Sequence, residues 1–104
     1  MKLPKTVIIN ARLWTVVVDN CNVNSHFSYR DRKITVGAGN PQKRGDVLRG
    51  LMHEVAEISA VERGVRYTRD KELGGNGDYL FCGNHDQFDD IISDLSLVIG
   101  GLIR

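Results

Sequence analysis

The chain has few of the residues that cross-link secreted proteins or span membranes. Its 104 residues include only two cysteines, Cys21 and Cys82, which lie far apart in the sequence. A disulfide framework is therefore not expected, and both thiols are expected to be reduced. Long apolar runs are also missing, because Pro4, Lys5 and Asn10 interrupt the N-terminal segment and no stretch is long enough to span a bilayer. We therefore expect a cytoplasmic protein without a membrane segment.

An excess of one charge is missing too. The chain contains fourteen Lys and Arg residues and thirteen Asp and Glu residues, which gives a formal net charge of +1. The basic residues that could contact a polyanion are interleaved with acids and lack aromatic residues for stacking on bases, so nucleic acid is not an expected partner. These basic residues are Lys43, Arg44, Arg49, Arg63, Arg66 and Arg69. The length is sufficient for one hydrophobic core, and residues 1–104 are predicted to form a single domain.

β-Branched residues are concentrated in the first part of the chain. The segment TVIINARLWTVVV predicts two strands, at about residues 5–9 and 13–18, with a turn at Asn10–Arg12 between them. A third strand is predicted at about 32–36 (RKITV). It ends at the glycines and Pro41 that follow, which forbid regular structure. These strands are expected to form a small antiparallel or mixed sheet.

A helical pattern begins at Gly45. Apolar residues recur at helical spacing until Gly64, which predicts a first helix that ends there. Asn84, as an N-cap with Gln87 three residues later, predicts a second helix from about His85 to Ile99, closed by Gly100. The predicted fold class is α+β, with about three strands packed on two long helices.

The first predicted helix has two stripes of interest. The stripe expected to face the core consists of Val47, Leu48, Leu51, Met52, Val55, Ile58 and Ser59. A second stripe consists of Gly50, His53, Glu57, Ala60 and Gly64. Small residues on either side of His53 and Glu57 let another segment approach closely, so this stripe is also expected to be buried. A buried Glu57 carboxylate then requires an arginine partner or a metal ion, unless this face is exposed after all.

The spacing of the polar residues permits a metal site. His53 and Glu57 lie one turn apart and can point at one ion, while Glu54 projects sideways and can act as general base on a bound water. Catalytic zinc takes three protein ligands, and His85 is the first candidate for the third. Its side chain is expected to point inward, because it extends the apolar series of the second helix, which consists of Phe88, Ile92, Leu95, Ile99 and Leu102.

Alternatives to this ligand set remain open. Asp89, one turn after His85, can orient the imidazole or replace it as a ligand. Cys82 can bind zinc, although a packed thiol is the more common role of such a residue. His85 can also be an ordinary exposed residue of the first helical turn.

The motif Leu51-Met52-His53-Glu54-Val55-Ala56-Glu57, preceded by Ile34-Thr35-Val36 and followed by Asn84-His85, resembles a known pattern. It is similar to minimal zincin-type, gluzincin-like metallopeptidase domains, and to small phage and prophage proteins with an LxHExxE motif. The resemblance implies a zinc ion held by His53, Glu57 and His85, with Glu54 polarising the water that attacks a peptide carbonyl. It also implies that the strand at 32–36 holds an extended peptide by strand addition.

An oxyanion stabiliser is expected near the second helix. Tyr79 is the first candidate and Tyr67 the second, and each can instead be a packed aromatic residue. The expected function is zinc-dependent hydrolysis of a peptide or protein substrate. The alternative is a non-catalytic metal-binding or protein-interaction module on the same fold.

Overall fold

The computed structural model describes residues 3–68 and 79–102 of the chain. The elements follow one another in the order β1 (Thr6–Ile9), β2 (Arg12–Asp19), β3 (His26–Ser28), β4 (Lys33–Gly37), α1 (Arg44–Glu62), β5 (Arg66–Thr68), β6 (Tyr79–Phe81) and α2 (His85–Leu102). Within these residues the predicted α+β class with two helices is confirmed. Three strands of three residues each, β3, β5 and β6, were not predicted. Within the described residues, neither helix is both long enough and apolar enough to cross a membrane.

Four strands form one mixed sheet in the order β1-β2-β4-β3. β1 and β2 pair antiparallel across a two-residue turn, in which Asn10 and Ala11 both have positive φ, as a type I′ hairpin turn requires. β2 and β4 pair in parallel, from Thr15 opposite Lys33 to Asp19 opposite Gly37.

β4 is an interior strand of this sheet. β2 pairs with one of its edges, and β3 pairs with the other over Lys33 to Thr35. Strand addition of a peptide to residues 32–36 requires a free edge. That expectation is therefore wrong, because the edge strand on this side of the sheet is β3.

The helices pack against one face of the sheet. Alternation along β1, β2 and β4 points every second side chain towards this layer, where they meet α1 and α2. The buried cluster consists of Val7, Ile9, Trp14, Val16, Ile34, Val36, Leu51, Val55, Ile58 and Val98. The predicted core-facing stripe of α1 is confirmed, since Leu51, Val55, Ile58 and Ser59 are buried and Val47 and Met52 pack partly buried against the same cluster.

Local signals at the end of α1 and at the start of α2 were predicted correctly. Gly64 has φ +71°, and the N–H groups of Gly64 and Val65 donate to the carbonyls of Val61 and Ala60, which is a Schellman motif. At the start of α2 the backbone N–H of Gln87 donates to Asn84 Oδ1 at 2.9 Å, and Gln87 Oε1 accepts from the Asn84 N–H at 2.8 Å. The expected end at Gly100 is wrong, because α2 continues to Leu102.

α2 buries only part of the predicted face, because Leu95 and Leu102 pack partly buried against the core. Phe88, Ile92 and Ile99, which belong to the predicted inward series, are 60%, 43% and 46% exposed. The buried residues of α2 are Asp94 and Val98, each 4% exposed. The helix is thus rotated about its axis relative to the orientation that the spacing of its apolar residues predicts.

A buried polar cluster accounts for this rotation. Asp94 accepts hydrogen bonds from Ser59 Oγ at 2.6 Å, from the backbone N–H of Asn10 at 3.2 Å and from Arg63 Nη2 at 3.3 Å. These partners compensate the cost of burying a carboxylate, so a charged residue occupies the centre of the packed face. Arg63 is half-buried against Asp94.

Candidate metal and catalytic site

The second stripe of α1 brings a histidine and two carboxylates together. His53 Nε2 lies 3.3 Å from Glu57 Oε2, one turn later, and 3.9 Å from Glu54 Oε2. One ligand atom from each of the three residues falls within 4.8 Å of the other two. A cation among them would meet one imidazole nitrogen and carboxylate oxygens, the donor types that zinc takes in proteins.

Burial differs sharply among the three side chains. The Glu54 side chain is 6% exposed and that of Glu57 is 18% exposed, whereas the His53 imidazole is 67% exposed. The prediction that His53 is buried is therefore wrong. The imidazole stands at the entrance of the site, and the Glu54 carboxylate lies at its base.

Gly50 and Gly64, the two glycines of the stripe, have different roles. A Cβ at Gly50 would lie 2.7 Å from Ser25 Oγ, so the close approach of another segment is confirmed at this position. Ser25 Oγ also accepts the backbone N–H of Gly37 at 2.9 Å, which ties the loop ahead of β3 to the end of β4. A Cβ at Gly64 would meet nothing within 4 Å, and this glycine serves the left-handed end of α1 instead.

Two cavities of different character share His53 and Glu57 as lining residues. The apolar cavity, of about 410 Å³, lies between α1, β6 and the start of α2. Its apolar lining consists of Ala56, Ala60, Val65, Phe81, Phe88 and Ile91. The polar cavity, of about 330 Å³, lies between α1 and the loop ahead of β3. Its polar lining includes Asn24, Ser25, Gln42, Asp46, Arg49 and Glu54.

His85 occupies the first position of α2, as predicted, but its side chain does not point inward. It is 85% exposed, and its Nδ1 lies 3.3 Å from Asp89 Oδ2. Together with Asp86, these residues form a second group of ligand atoms within 4.8 Å of one another. The structure thus groups His85 with acids of its own helix rather than with His53 and Glu57.

The chain that leads to His85 nevertheless reaches the site. Cys82, Gly83 and Asn84, the three residues before His85, line the apolar cavity that His53 and Glu57 also line. Cys82 itself is exposed and forms no disulfide within the described part of the chain. The backbone of Tyr79 begins β6, but its side chain and that of Tyr67 lie outside what the structure describes, so Tyr79 stays a prediction as the oxyanion stabiliser.

The sequence did not point to several residues that shape the site. The apolar series of the second helix predicts an inward position for Phe88, and no pattern marks Phe81, yet both line the apolar cavity. Gln42, Asp46 and Arg49 line the polar cavity, and no spacing in the sequence marks them. The packing of α1 against the loop ahead of β3 determines which polar side chains face the site from α1 and from the loop that precedes it.

The geometry of α1 is what bears most directly on function. One helical turn combines a histidine and two carboxylates with two cavities that open beside them. No protein-family model, curated protein or solved structure matches this chain.

Proposed function

We propose that the protein is a zinc-dependent hydrolase of peptidase type, in which His53 and Glu57 hold the ion and Glu54 acts as general base. The observation that carries the proposal is the grouping of these three side chains on α1, with ligand atoms within 4.8 Å of one another. The resemblance of LMHEVAE to the zincin-type motif supports the same assignment. The cavities that His53 and Glu57 line provide room for a substrate beside the ion.

Each residue has a distinct task in this proposal. His53 offers a neutral imidazole nitrogen, and Glu57 offers a carboxylate oxygen that offsets part of the cation's charge. Bound zinc supplies Lewis acidity and lowers the pKa of water. The Glu54 carboxylate takes the proton from the attacking water and returns it to the leaving amine. Its burial, at 6% side-chain exposure, keeps it fixed relative to His53 and Glu57.

His85 is the proposed third ligand. For this role its side chain must leave Asp89 and turn towards the apolar cavity, which the three preceding residues line. An exposed contact such as His85–Asp89 contributes little to stability, and exposed side chains change rotamer rapidly. We therefore expect metal binding to recruit His85.

Zinc titration of the metal-free protein by calorimetry tests the metal assignment. We expect one zinc ion per chain, with an affinity that falls at least about 100-fold in His53→Ala and Glu57→Ala, since each removes a direct ligand. His26→Ala is the matched control, because His26 is an exposed histidine of β3 outside the group. Unchanged zinc affinity in His53→Ala would contradict the assignment. Unchanged zinc affinity in His85→Ala would show only that His85 is not the third ligand.

Glu54→Gln tests catalysis separately from metal binding. The amide cannot accept a proton, so we expect this variant to bind zinc and to lose hydrolysis of a fluorogenic peptide library. Hydrolysis at the wild-type rate would exclude Glu54 as general base.

A second candidate function is a non-catalytic metal-binding or protein-interaction module. The observation that favours it is the pair of carboxylates, Glu54 and Glu57, beside a single imidazole. Two anionic groups at the ion reduce its Lewis acidity and raise the pKa of bound water. Zinc binding without hydrolysis in the unmodified protein would support this candidate.

A further inference from the structure

The two cavities meet at the candidate catalytic group. Both are lined by His53 and Glu57, whereas Glu54 lines the polar cavity alone. A linear molecule that passes the His53 imidazole therefore has an apolar surface on one side and a polar surface on the other.

The apolar cavity is suited to a bulky side chain. At about 410 Å³ it is within the range of small-ligand pockets, about 300–1,000 Å³. Ala60 and Val65, which line it, are 2% and 5% exposed, while Phe81 and Phe88 are 57% and 60% exposed. The small side chain of Ala60 leaves space in the cavity, and the two aromatic rings keep a large apolar area in contact with water. An apolar occupant would remove that area from water.

The polar cavity offers hydrogen-bonding groups of the kind that bind a peptide main chain. Asn24 carries an amide side chain that both donates and accepts, and Gln42, whose Nε2 donates to the Val23 carbonyl, offers its amide oxygen as an acceptor. Ser25 adds a hydroxyl, and Arg49 adds a cationic donor. These groups can pair with main-chain carbonyls and N–H groups of an extended peptide, which an apolar cavity would leave unsatisfied.

We infer that the apolar cavity selects a large apolar side chain, aromatic or leucine-like, in a peptide whose adjoining main chain lies in the polar cavity. This inference rests on the proposed function, because it places the hydrolysed bond next to that side chain. Phe88 and Phe81 form the walls that recognise the side chain, and Ala56 and Ala60 set the size that fits. Peptides with glycine or a charged residue at this position are poor ligands.

Binding of two probe peptides tests the inference without relying on turnover. The probes are acetyl-Gly-Phe-Gly-amide and acetyl-Gly-Gly-Gly-amide, titrated into ¹⁵N-labelled protein with and without zinc. We expect the phenylalanine peptide to bind at least about tenfold more tightly, because an aromatic side chain leaves water. Its amide shift changes should centre on Ala56, Ala60 and Phe88. Equal or undetectable binding of both peptides, or shift changes away from this cavity, would overturn the inference.

Phe88→Ser and Leu97→Ser form a matched pair of variants. Both residues are on α2 and similarly exposed, at 60% and 63%, but Leu97 lines a different cavity, beside β1. We expect Phe88→Ser to reduce the preference for phenylalanine to less than threefold and Leu97→Ser to preserve it. Loss of the preference in both variants would contradict the assignment. Ala56→Leu should weaken binding of the phenylalanine peptide by narrowing the cavity.

Two further results separate this inference from its alternatives. Preferential binding of the phenylalanine peptide without any hydrolysis would refute the proposed function and leave the cavity assignment standing. Hydrolysis that is equally fast for glycine and phenylalanine peptides would support the proposed function and refute the cavity assignment. If the protein sediments as a dimer and Phe88→Ser sediments as a monomer, the surface is a contact between two copies of the chain. That result would overturn the inference.

Discussion

Ser59 Oγ donates a 2.6 Å hydrogen bond to Asp94 Oδ2 inside the contact between α1 and α2. Both residues are buried, and Arg63 Nη2 reaches the same carboxylate oxygen at 3.3 Å. The contact between the helices thus depends on a charged cluster at its centre rather than on apolar packing alone.

Replacement of Asp94 by alanine should destabilise the fold strongly. The change leaves the Ser59 hydroxyl, the Arg63 guanidinium and the Asn10 N–H without their common acceptor. Removing one partner from such a buried pair costs about 3–5 kcal/mol, and urea unfolding should show a loss in the free energy of unfolding of this size. Asp90→Ala, an exposed aspartate of the same helix, should change it by less than about 0.5 kcal/mol. Equal effects of the two changes would show that the cluster does not stabilise the helix contact.

Alanine should have opposite effects at two glycines of α1. At Gly45 a Cβ meets nothing within 4 Å, so Gly45→Ala should stabilise the protein by up to about 1 kcal/mol through helix propensity. At Gly50 the added Cβ would lie 2.7 Å from Ser25 Oγ and would displace the acceptor of the Gly37 N–H. We therefore expect Gly50→Ala to be less stable than Gly45→Ala by about 1–2 kcal/mol in thermal unfolding. Equal stability of the two variants would mean that Ser25 can move without cost.

The loop after β2 should contribute stability that depends on pH. The Asn22 side chain donates to Asp19 Oδ2 at 2.6 Å and the Cys21 N–H donates to Oδ1 at 2.9 Å, and these bonds hold the pKa of Asp19 below its ordinary value of 3.8. A carboxyl whose pKa is lowered on folding stabilises the fold above its ordinary pKa, and this contribution is lost as the pH falls through the lowered value.

Asp19→Asn measures that contribution. The free energy of unfolding should be lower in Asp19→Asn than in the wild type at pH 6, and the difference should shrink as the pH falls below 3.8. Asp31→Asn, which changes another exposed aspartate, serves as the control for the loss of one negative charge. A difference between Asp19→Asn and the wild type that stays constant from pH 6 to pH 2.5 would contradict the lowered pKa.

The N-cap of α2 should influence both stability and zinc binding. Asn84→Ala removes the side-chain oxygen that accepts the Gln87 N–H, which should cost about 1 kcal/mol of unfolding free energy. If His85 is a ligand, fraying of the first turn should also weaken zinc binding. Ser96→Ala, at an exposed site in the second half of α2, should leave zinc affinity unchanged. A destabilised Asn84→Ala with wild-type zinc affinity would indicate that His85 is not a ligand.

The fold class, the end of α1 and the start of α2 could be predicted because they depend on local chemistry. Gly64 ends α1 through its left-handed backbone, and Asn84 and Gln87 begin α2 through reciprocal hydrogen bonds. β3, β5 and β6 are too short, at three residues each, for alternation of apolar and polar residues to stand out.

The candidate site was predictable only in part. His53 and Glu57 are brought together by helical spacing, which the sequence contains directly. The exposure of His53 and the lining of the two cavities depend on where α2 and the loop ahead of β3 pack. The orientation of α2 was predicted wrongly because Asp94, a charged residue, occupies its buried face, and apolar periodicity gives such a residue no weight.

The hydrogen bond from the Asn10 N–H to Asp94 Oδ1 joins positions separated by 84 residues. Asn10 lies in the turn of the first hairpin, and Asp94 lies in the last helix. When α2 detaches from the domain, this amide loses its acceptor and becomes accessible to exchange with deuterium. The exchange rate of one amide near the start of the chain should therefore report the opening of the helix near its end. Both parts are then expected to unfold as one cooperative unit.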